Sequence, residues 1–358
     1  MCARPAGGSG STAVSSRSLS RPVSLTPSGE VQYPGLPRRT VDAWIGAGGW
    51  GYFRGPTGNS LGDYARGFRF VEVNSTFYRH PPSLAVRRWR RSVPADFHFS
   101  VKGHRSITHT ARFRAANAAM ASIAKDAAIV RALASDILVL ETPPAVQFGP
   151  PETAALKEFA AALGGGIRIA LEARAYDGKP LPKALASTLF DVGGIDVVDL
   201  SKGVTPRVES DVMYTRLFGQ GDHNVWEFSD NELRDIDASA TSTGSNRMVF
   251  AFHGVRMYKD AARFVEFRST GSFSPATRGQ GTVALTEVLA PDVRFPATRA
   301  QLLRDHGWKV IAAGGGRNVH ASELLARLPE RTFRSLPETL DALAVPAPGA
   351  QPPASTNL

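Results

Sequence analysis

The sequence predicts an α/β protein built on a (β/α)8 barrel, the TIM-barrel architecture, with a disordered N-terminal tail and a small C-terminal α/β appendage. Three observations predict it. Eight short runs rich in β-branched and aromatic residues recur between residues 42 and 252. Helix-compatible segments separate nearly all of them. The alternation spans residues 42–268, close to the ~250 residues that eight βα units typically need to close.

The strand candidates are 42–46 (DAWIG), 70–74 (FVEVN), 97–101 (FHFSV), 137–141 (ILVLE), 168–172 (RIALE), 195–199 (IDVVD), 212–216 (VMYTR) and 248–252 (MVFAF). Most are too apolar for half-exposed strands, so burial on both faces in a parallel sheet is expected. Helices are expected at 60–66, 83–91, 116–134, 151–163, 181–190, 230–241 and 257–268. Ser229-Asp230-Asn231-Glu232 is a capping-box pattern, in which side chain and backbone satisfy each other at a helix start. The 200–211 connection is too short and Pro-broken for a proper helix. A doubly wound open sheet is the competing architecture. It calls for a glycine-rich phosphate turn that opens a helix, but after Gly46-Ala47-Gly48-Gly49 the helix start is taken by Trp50, Tyr52 and Phe53.

The domain boundaries follow. Residues 1–40 are rich in Ser, Gly, Pro and Arg and lack the apolar centre of a secretory signal. Their Ser/Arg-rich composition is that of an organellar transit peptide, yet no amphipathic helix is evident, and disorder is expected. Residues 41–270 form the barrel. Residues 280–343 read as an appendage with a strand at 282–289, a helix at 297–305, a strand at 308–313 and helices at 320–327 and 336–343. Gly314-Gly315-Gly316 lacks a following Lys-Ser/Thr and reads as a turn rather than a phosphate cradle. Residues 344–358 are Pro-rich, uncharged and expected to be disordered.

The chain has 358 residues, with 42 Lys and Arg against 32 Asp and Glu, a formal net charge of +10. Much of the excess is local. Arg4, Arg17, Arg21, Arg38 and Arg39 face only Glu30 in residues 1–41, and Arg87, Arg88, Arg90, Arg91, Lys102, Arg105, Arg112 and Arg114 face only Asp96 in residues 82–116. Nucleic acid therefore enters as an alternative partner, met by the 82–116 segment. Arg87-Arg88-Trp89-Arg90-Arg91 goes around a helix, which favours a solvated surface with Trp89 packed on the barrel over a single phosphate grip. The single cysteine, Cys2, removes intrachain disulfides and cysteine-rich zinc sites. No apolar run approaches the ~20 residues that span a bilayer, so no membrane partner and a cytoplasmic location are expected.

In such a barrel the carboxyl ends of the strands face a common mouth. Glu72, Lys102, Glu141, Glu172, Asp199, Arg216 and His253 all lie at or just beyond a strand end. Glu72 shares a strand face with Asn74, as Glu172 does with Arg174. The pair Glu72 and Glu172 has two readings: general acid/base catalysis, or structural ion pairs with Arg174 holding Glu72 or Glu141. His109, after strand three, is a third catalytic candidate as a proton shuttle. Asn74, Tyr78, Lys102, Glu141, Arg174, Arg216 and His253 are candidates for substrate binding. A divalent metal is left open. No His-x-His or His-Glu-x-x-His spacing occurs, so ligands would have to come from separate strands.

Trp44-Ile45-Gly46, Gly48-Gly49-Trp50, Phe70-Val71-Glu72-Val73-Asn74-Ser75-Thr76-Phe77-Tyr78, Phe97 to Lys102 with Ile107-Thr108-His109, Pro143-Pro144 and Glu172-Ala173-Arg174 resemble, in this order, the DUF72 family of YecE-like proteins. The resemblance covers about residues 42–268. It implies a TIM barrel and no particular reaction. Many members carry Tyr-x-Arg-Leu-His-Gly on strand seven, where this chain has Tyr214-Thr215-Arg216-Leu217-Phe218-Gly219, leaving His223 or His253 to substitute. Members also often have Gln at the place of Glu141 and Phe-Asn-Asn at that of Phe252-His253-Gly254. The runs around 218–224 and 255–264 resemble an archaeal-type subgroup. The functional expectation is an enzyme, a hydrolase or isomerase, acting by acid/base chemistry on a small, polar, anionic substrate at the barrel mouth; the alternative is a nucleic-acid-binding or nuclease protein that uses the basic 82–116 segment.

Overall fold

Eight parallel strands close on themselves in chain order: β1 (Asp42–Ala47), β2 (Phe70–Val73), β3 (His98–Lys102), β4 (Ile137–Thr142), β5 (Arg168–Ala173), β6 (Ile195–Val198), β7 (Val212–Leu217) and β8 (Arg247–Phe252). β8 pairs with β1 from Arg247↔Asp42 to Phe252↔Ala47 and shuts the cylinder. The computed structural model describes residues 42–221 and 224–344, together with two short strands, Ser24–Leu25 and Val31–Gln32, that pair antiparallel. The tails expected to be disordered, and His223, lie largely outside these residues.

Around the barrel run α1 (Ser60–Tyr64), α2 (Ser83–Arg91), α3 (Asn117–Ala132), α4 (Pro150–Leu163), α5 (Lys183–Asp191), α6 (Asp230–Ser242) and α7 (Met257–Thr270). Only short turns fill the 200–211 connection. The capping box at α6 forms, with Ser229 N donating to Glu232 Oε2 at 2.7 Å and Glu232 N to Ser229 Oγ at 3.4 Å. Among the described residues, no helix is long and apolar enough to cross a membrane.

Strand periodicity sorts the barrel into two cores. Trp44, Phe70, Val139, Val197, Tyr214 and Val249 belong to an interior cluster. Their neighbours Val71, Leu138 and Leu140 pack outward in the larger cluster beneath the helices. β1 and β2 share only two register pairs. Tyr64 bridges this short seam, donating to Phe70 O and accepting from Ala47 N, both at 2.8 Å.

The C-terminal unit has its own apolar core. It comprises α8 (Thr282–Leu289), β9 (Ala297–Thr298), α9 (Arg299–His306), β10 (Val310–Gly314), β11 (Arg317–His320), α10 (Ser322–Leu325), β12 (Thr332–Phe333) and α11 (Leu336–Ala344). Residues 282–289, expected as a strand, are helical. A strand would put Glu287 on the same face as Leu285 and Leu289, whereas a helix buries Ala284, Leu285 and Leu289 on one side. The 297–305 segment is split, because Ala297–Thr298 pairs with Thr332–Phe333 before Thr298 caps α9. Gly314-Gly315-Gly316, all at positive φ, turn β10 into β11. The unit docks on the barrel through backbone donors that meet acids beside α6: Val310 N donates to Glu227 Oε2 at 3.1 Å, and Asn318 N to Asp230 Oδ2 at 2.8 Å.

Candidate active site at the barrel mouth

Following the inward alternation up each strand places Glu72, Lys102, Glu141, Glu172, Asp199, Arg216 and His253 in the uppermost interior layer. Arg216, with 2% of its surface exposed, is the hub. Its Nη1 donates to Glu141 Oε2 at 2.5 Å and to Glu172 Oε2, its Nη2 to Glu72 Oε1 at 3.1 Å, and its Nε to His253 Nε2 at 3.2 Å. Lys102 Nζ meets Glu141 Oε2 at 2.7 Å. Arg174 spans Glu141 Oε1 at 3.1 Å and Glu172 Oε1 at 2.9 Å. Three carboxylates thus face three cations, and the buried network is neutral overall. The position a cation would take among Glu72, Glu141 and Glu172 is filled by the guanidinium, and no cluster of three His, Cys, Asp or Glu side chains among the described residues is arranged to hold a metal.

The electrostatics follow from this packing. Burial is the largest single influence on Glu72 and Glu141 and works against their charge, but Arg216 together with His253 and Lys102 at Glu72, and with Lys102 and Arg174 at Glu141, outweighs it. The Glu72 carboxyl is held well below the usual range, and that of Glu141 falls to about 2. Glu72 also accepts from Tyr214 OH at 2.8 Å, and Ser100 Oγ lies 2.8 Å from the same hydroxyl. Burial, then Arg216, pushes His253 down. A neutral imidazole accepting from Arg216 Nε fits that direction.

Beside this network opens a cavity of about 300 Å³, lined by Glu172, Arg174, Asp177, Asp199, Lys202 and Phe218, among others. Glu172 belongs to both network and cavity, while Glu72 lies fully buried below. Asp199 accepts from Ser201 N at 3.0 Å, Ser201 Oγ at 2.5 Å and Phe218 N at 3.2 Å. Burial nevertheless pushes its carboxyl up to about 6. Lys202 Nζ is 3.6 Å from Asp177 and 3.9 Å from Asp199, too far for a hydrogen bond to either. Phe218 lies against His253, at 4.9 Å between ring centroids, and has both Arg174 and Arg216 within 5.5 Å of its ring. Gly219, at φ 76°, leaves room for Trp226, whose ring atoms would lie 2.5 Å from a Cβ.

The other expected site residues lie on the β2–β3 side. Asn74 Nδ2 donates to Gly48 O at 2.6 Å and ties the first loop to the second. A Cβ on Gly48 would strike the His253 ring at 2.2 Å, so the loop comes this close only with glycine there. His109 is half-buried, edge-on to Phe77, with Nδ1 2.9 Å from Thr108 Oγ1. Burial lowers its pKa. Lys102 Nζ sits 4.3 Å over the Phe77 ring, and Tyr78 is 70% exposed. Glu72, Glu141, Glu172, Lys102, Arg174, Arg216 and His253 therefore converge in one network, while His109, Asn74 and Tyr78 stand to one side of it.

Sequence reasoning ranked Asp199 only as a strand end and did not reach Lys202, Asp177 or Tyr214. The alternation Val197, Asp199 marks Asp199 as inward-facing. Tyr214 is inward by the same rule, two residues before Arg216. Lys202 and Asp177 sit on connections, where no period applies.

Residues 44–277 match the family described as "Protein of unknown function DUF72". The UPF0759 protein YecE of Escherichia coli (strain K12) is 37% identical over 82 residues, 23% of this chain and 27% of that protein, so the match spans about a quarter of its length. Among solved structures, a DUF72 family protein from Thermotoga maritima superposes with a TM-score of 0.50 at 18% identity, over 64% of this chain and 99% of the other. One from Enterococcus faecalis does so with a TM-score of 0.50 at 13% identity, over 64% and 98%. These structures share the fold.

Proposed function

This chain belongs to the DUF72 family, and we propose that its barrel mouth performs acid/base chemistry, an isomerisation or hydrolysis, on a small, polar, anionic molecule bound in the cavity between β5, β6 and β7. The observation that carries the reading is the cavity itself. Three carboxyls, Glu172, Asp177 and Asp199, and two cations, Arg174 and Lys202, line one space at the barrel mouth. Lys202, without a close hydrogen-bonded acid, has donors to offer an anionic group. Asp199, with its carboxyl raised to about 6, exchanges a proton close to neutral pH. Glu172 is held by Arg174 and Arg216 and would stabilise or accept positive character. Glu72, itself held by Tyr214, and His253 then fix Arg216, and through it the orientation of Glu172. Membership of an archaeal-type branch and a cytoplasmic location belong to the same proposal.

The test is a thermal-shift screen of carboxylated and phosphorylated small molecules, run on the wild type and on Lys202→Gln. Compounds that stabilise only the wild type are then followed by NMR in D2O for proton exchange or bond cleavage. Asp199→Asn is expected to abolish turnover while leaving binding in place. Turnover that survives Asp199→Asn refutes the assignment.

A further inference from the structure

A one-sided concentration of arginines lies outside the cavity. In α2, positions 84, 87, 88 and 91 share one helix face. The rest of the helix is committed to the barrel: Val86 is buried, Trp89 packs edge-on against Trp50 at 5.2 Å, and Arg90 Nη1 donates to Phe97 O at 2.7 Å. Arg87, Arg88 and Arg91 remain exposed, with no ion pair among the described residues. α2 starts at the mouth and runs ~13 Å down the wall. At its upper end lies the β2–α2 loop with exposed Tyr78 and Arg79. The His80 ring stacks on His104 at 4.4 Å, so the β3–α3 loop, with exposed and unpaired Arg105, stands alongside.

Nearby acids do not neutralise these five arginines. Asp96 is paired with Arg69, and Asp126 is buried against His80. The helix dipole favours cations in the last turn of α2, which accounts for Arg88 and Arg91. It does not account for Arg79 and Arg105 at the opposite end, nor for a tyrosine left 70% exposed between them.

We propose that this stripe is a track for single-stranded nucleic acid, whose phosphates run along Arg91, Arg88 and Arg87 toward Arg79 and Arg105 while a base stacks on Tyr78. Guanidinium groups suit phosphates, and an exposed aromatic ring at the head of the track adds the contact that distinguishes a nucleic acid from a plain polyanion. The proposal is independent of the acid/base reading, because none of these residues lines the cavity.

The experiment is fluorescence anisotropy of the full chain with labelled, unstructured 12-nucleotide RNA and DNA strands at 50–200 mM NaCl. Polyglutamate and anionic phosphatidylserine vesicles serve as competitors. Five phosphate contacts give a slope of log affinity against log salt near about −3.5, a loss of roughly 100-fold over that range. Arg87→Gln/Arg88→Gln/Arg91→Gln is expected to reduce the slope to about −1.4, or roughly sevenfold. Tyr78→Ala is expected to weaken binding by about five- to 150-fold at constant salt. All these residues are exposed, and unchanged circular dichroism and urea midpoints verify folding. Glu172→Gln and Asp199→Asn should bind the strands as the wild type does, which separates failure of the track from failure of the cavity chemistry. A slope unchanged in the triple variant, no binding at 50 mM salt, or competition by polyglutamate or vesicles as effective as by unlabelled strand overturns the proposal. A preference between the RNA and DNA arms identifies the natural strand.

Discussion

Replacing Arg216 by methionine removes the cation on which the mouth is organised while keeping much of its aliphatic volume. The guanidinium is almost completely buried and bonds three carboxylates and an imidazole. Without it three acids face two cations, and fully buried Glu72 keeps the Tyr214 hydroxyl at 2.8 Å and His253 Nε2 at 3.4 Å as its near partners. Breaking one side of a buried ion pair costs about 3–5 kcal/mol, and that is the loss expected at pH 7. The pH dependence gives the reasoning its sharper test. In the wild type the Glu72 carboxyl is held well below the ordinary range. Its contribution is therefore fully present above the unfolded carboxyl pKa and is lost only as pH falls toward the folded value. In the variant, burial without the guanidinium pushes Glu72 up, so it takes up a proton in mild acid and the penalty shrinks. The gap between the two proteins should narrow by at least about 1.4 kcal/mol, the equivalent of one pKa unit, between pH 7 and pH 5. Urea unfolding followed by far-ultraviolet circular dichroism measures this. Glu72→Gln added to Arg216→Met should recover part of the loss at pH 7, as expected for coupled neighbours. A loss below about 1 kcal/mol, or a gap independent of pH, refutes the view that Arg216 neutralises a buried acid.

Further expectations concern single sites. For a substrate found by the screen, the pH–rate profile should show a limb near pH 6, the position to which burial pushes Asp199, and Asp199→Asn should remove it; a profile without that limb points to another group. Asp260, buried and with its carboxyl raised to about 8, is the reverse of Glu72: its contribution is present below the unfolded pKa and is lost as pH rises through the folded value. Asp260→Asn should therefore make the urea midpoint flatter between pH 5 and pH 8, where the folded carboxyl keeps a proton that the unfolded one has lost, and a midpoint that still falls as steeply as in the wild type contradicts this. Gly219→Ala should destabilise the fold by about 1–3 kcal/mol, because φ 76° strains any β-carbon and the ring of Trp226 occupies its place; tryptophan fluorescence and the urea midpoint report it, and an unperturbed protein would mean the loop simply moves aside.

The eight strands were legible in the sequence because each is a short apolar run buried on both faces, a local signal. The 282–289 segment misled for the same kind of reason. Thr282, Val283, Thr286 and Val288 are β-branched, yet burial of Ala284, Leu285 and Leu289 against the C-terminal core decided for a helix. That core is assembled from distant parts of the chain, so its demand is invisible in an eight-residue window.

The candidate site divides in the same way. Alternation along single strands was enough to bring Glu72, Glu141, Glu172, Lys102, Arg216 and His253 to the mouth, because a period of two needs no partner. Which cation holds which acid was not decided by it. Arg174, expected to hold Glu72 or Glu141, holds Glu141 and Glu172, while Glu72 belongs to Arg216, 144 residues away in sequence. Ion pairing depends on distances across the closed barrel, and those exist only once β8 meets β1. The raised carboxyl of Asp199 likewise needs the burial that its strand cannot supply alone. Alternation along each strand sets which side chains face inward; closure of the barrel decides which of them touch, and so which are neutralised in the interior and which stay open to solvent and chemistry.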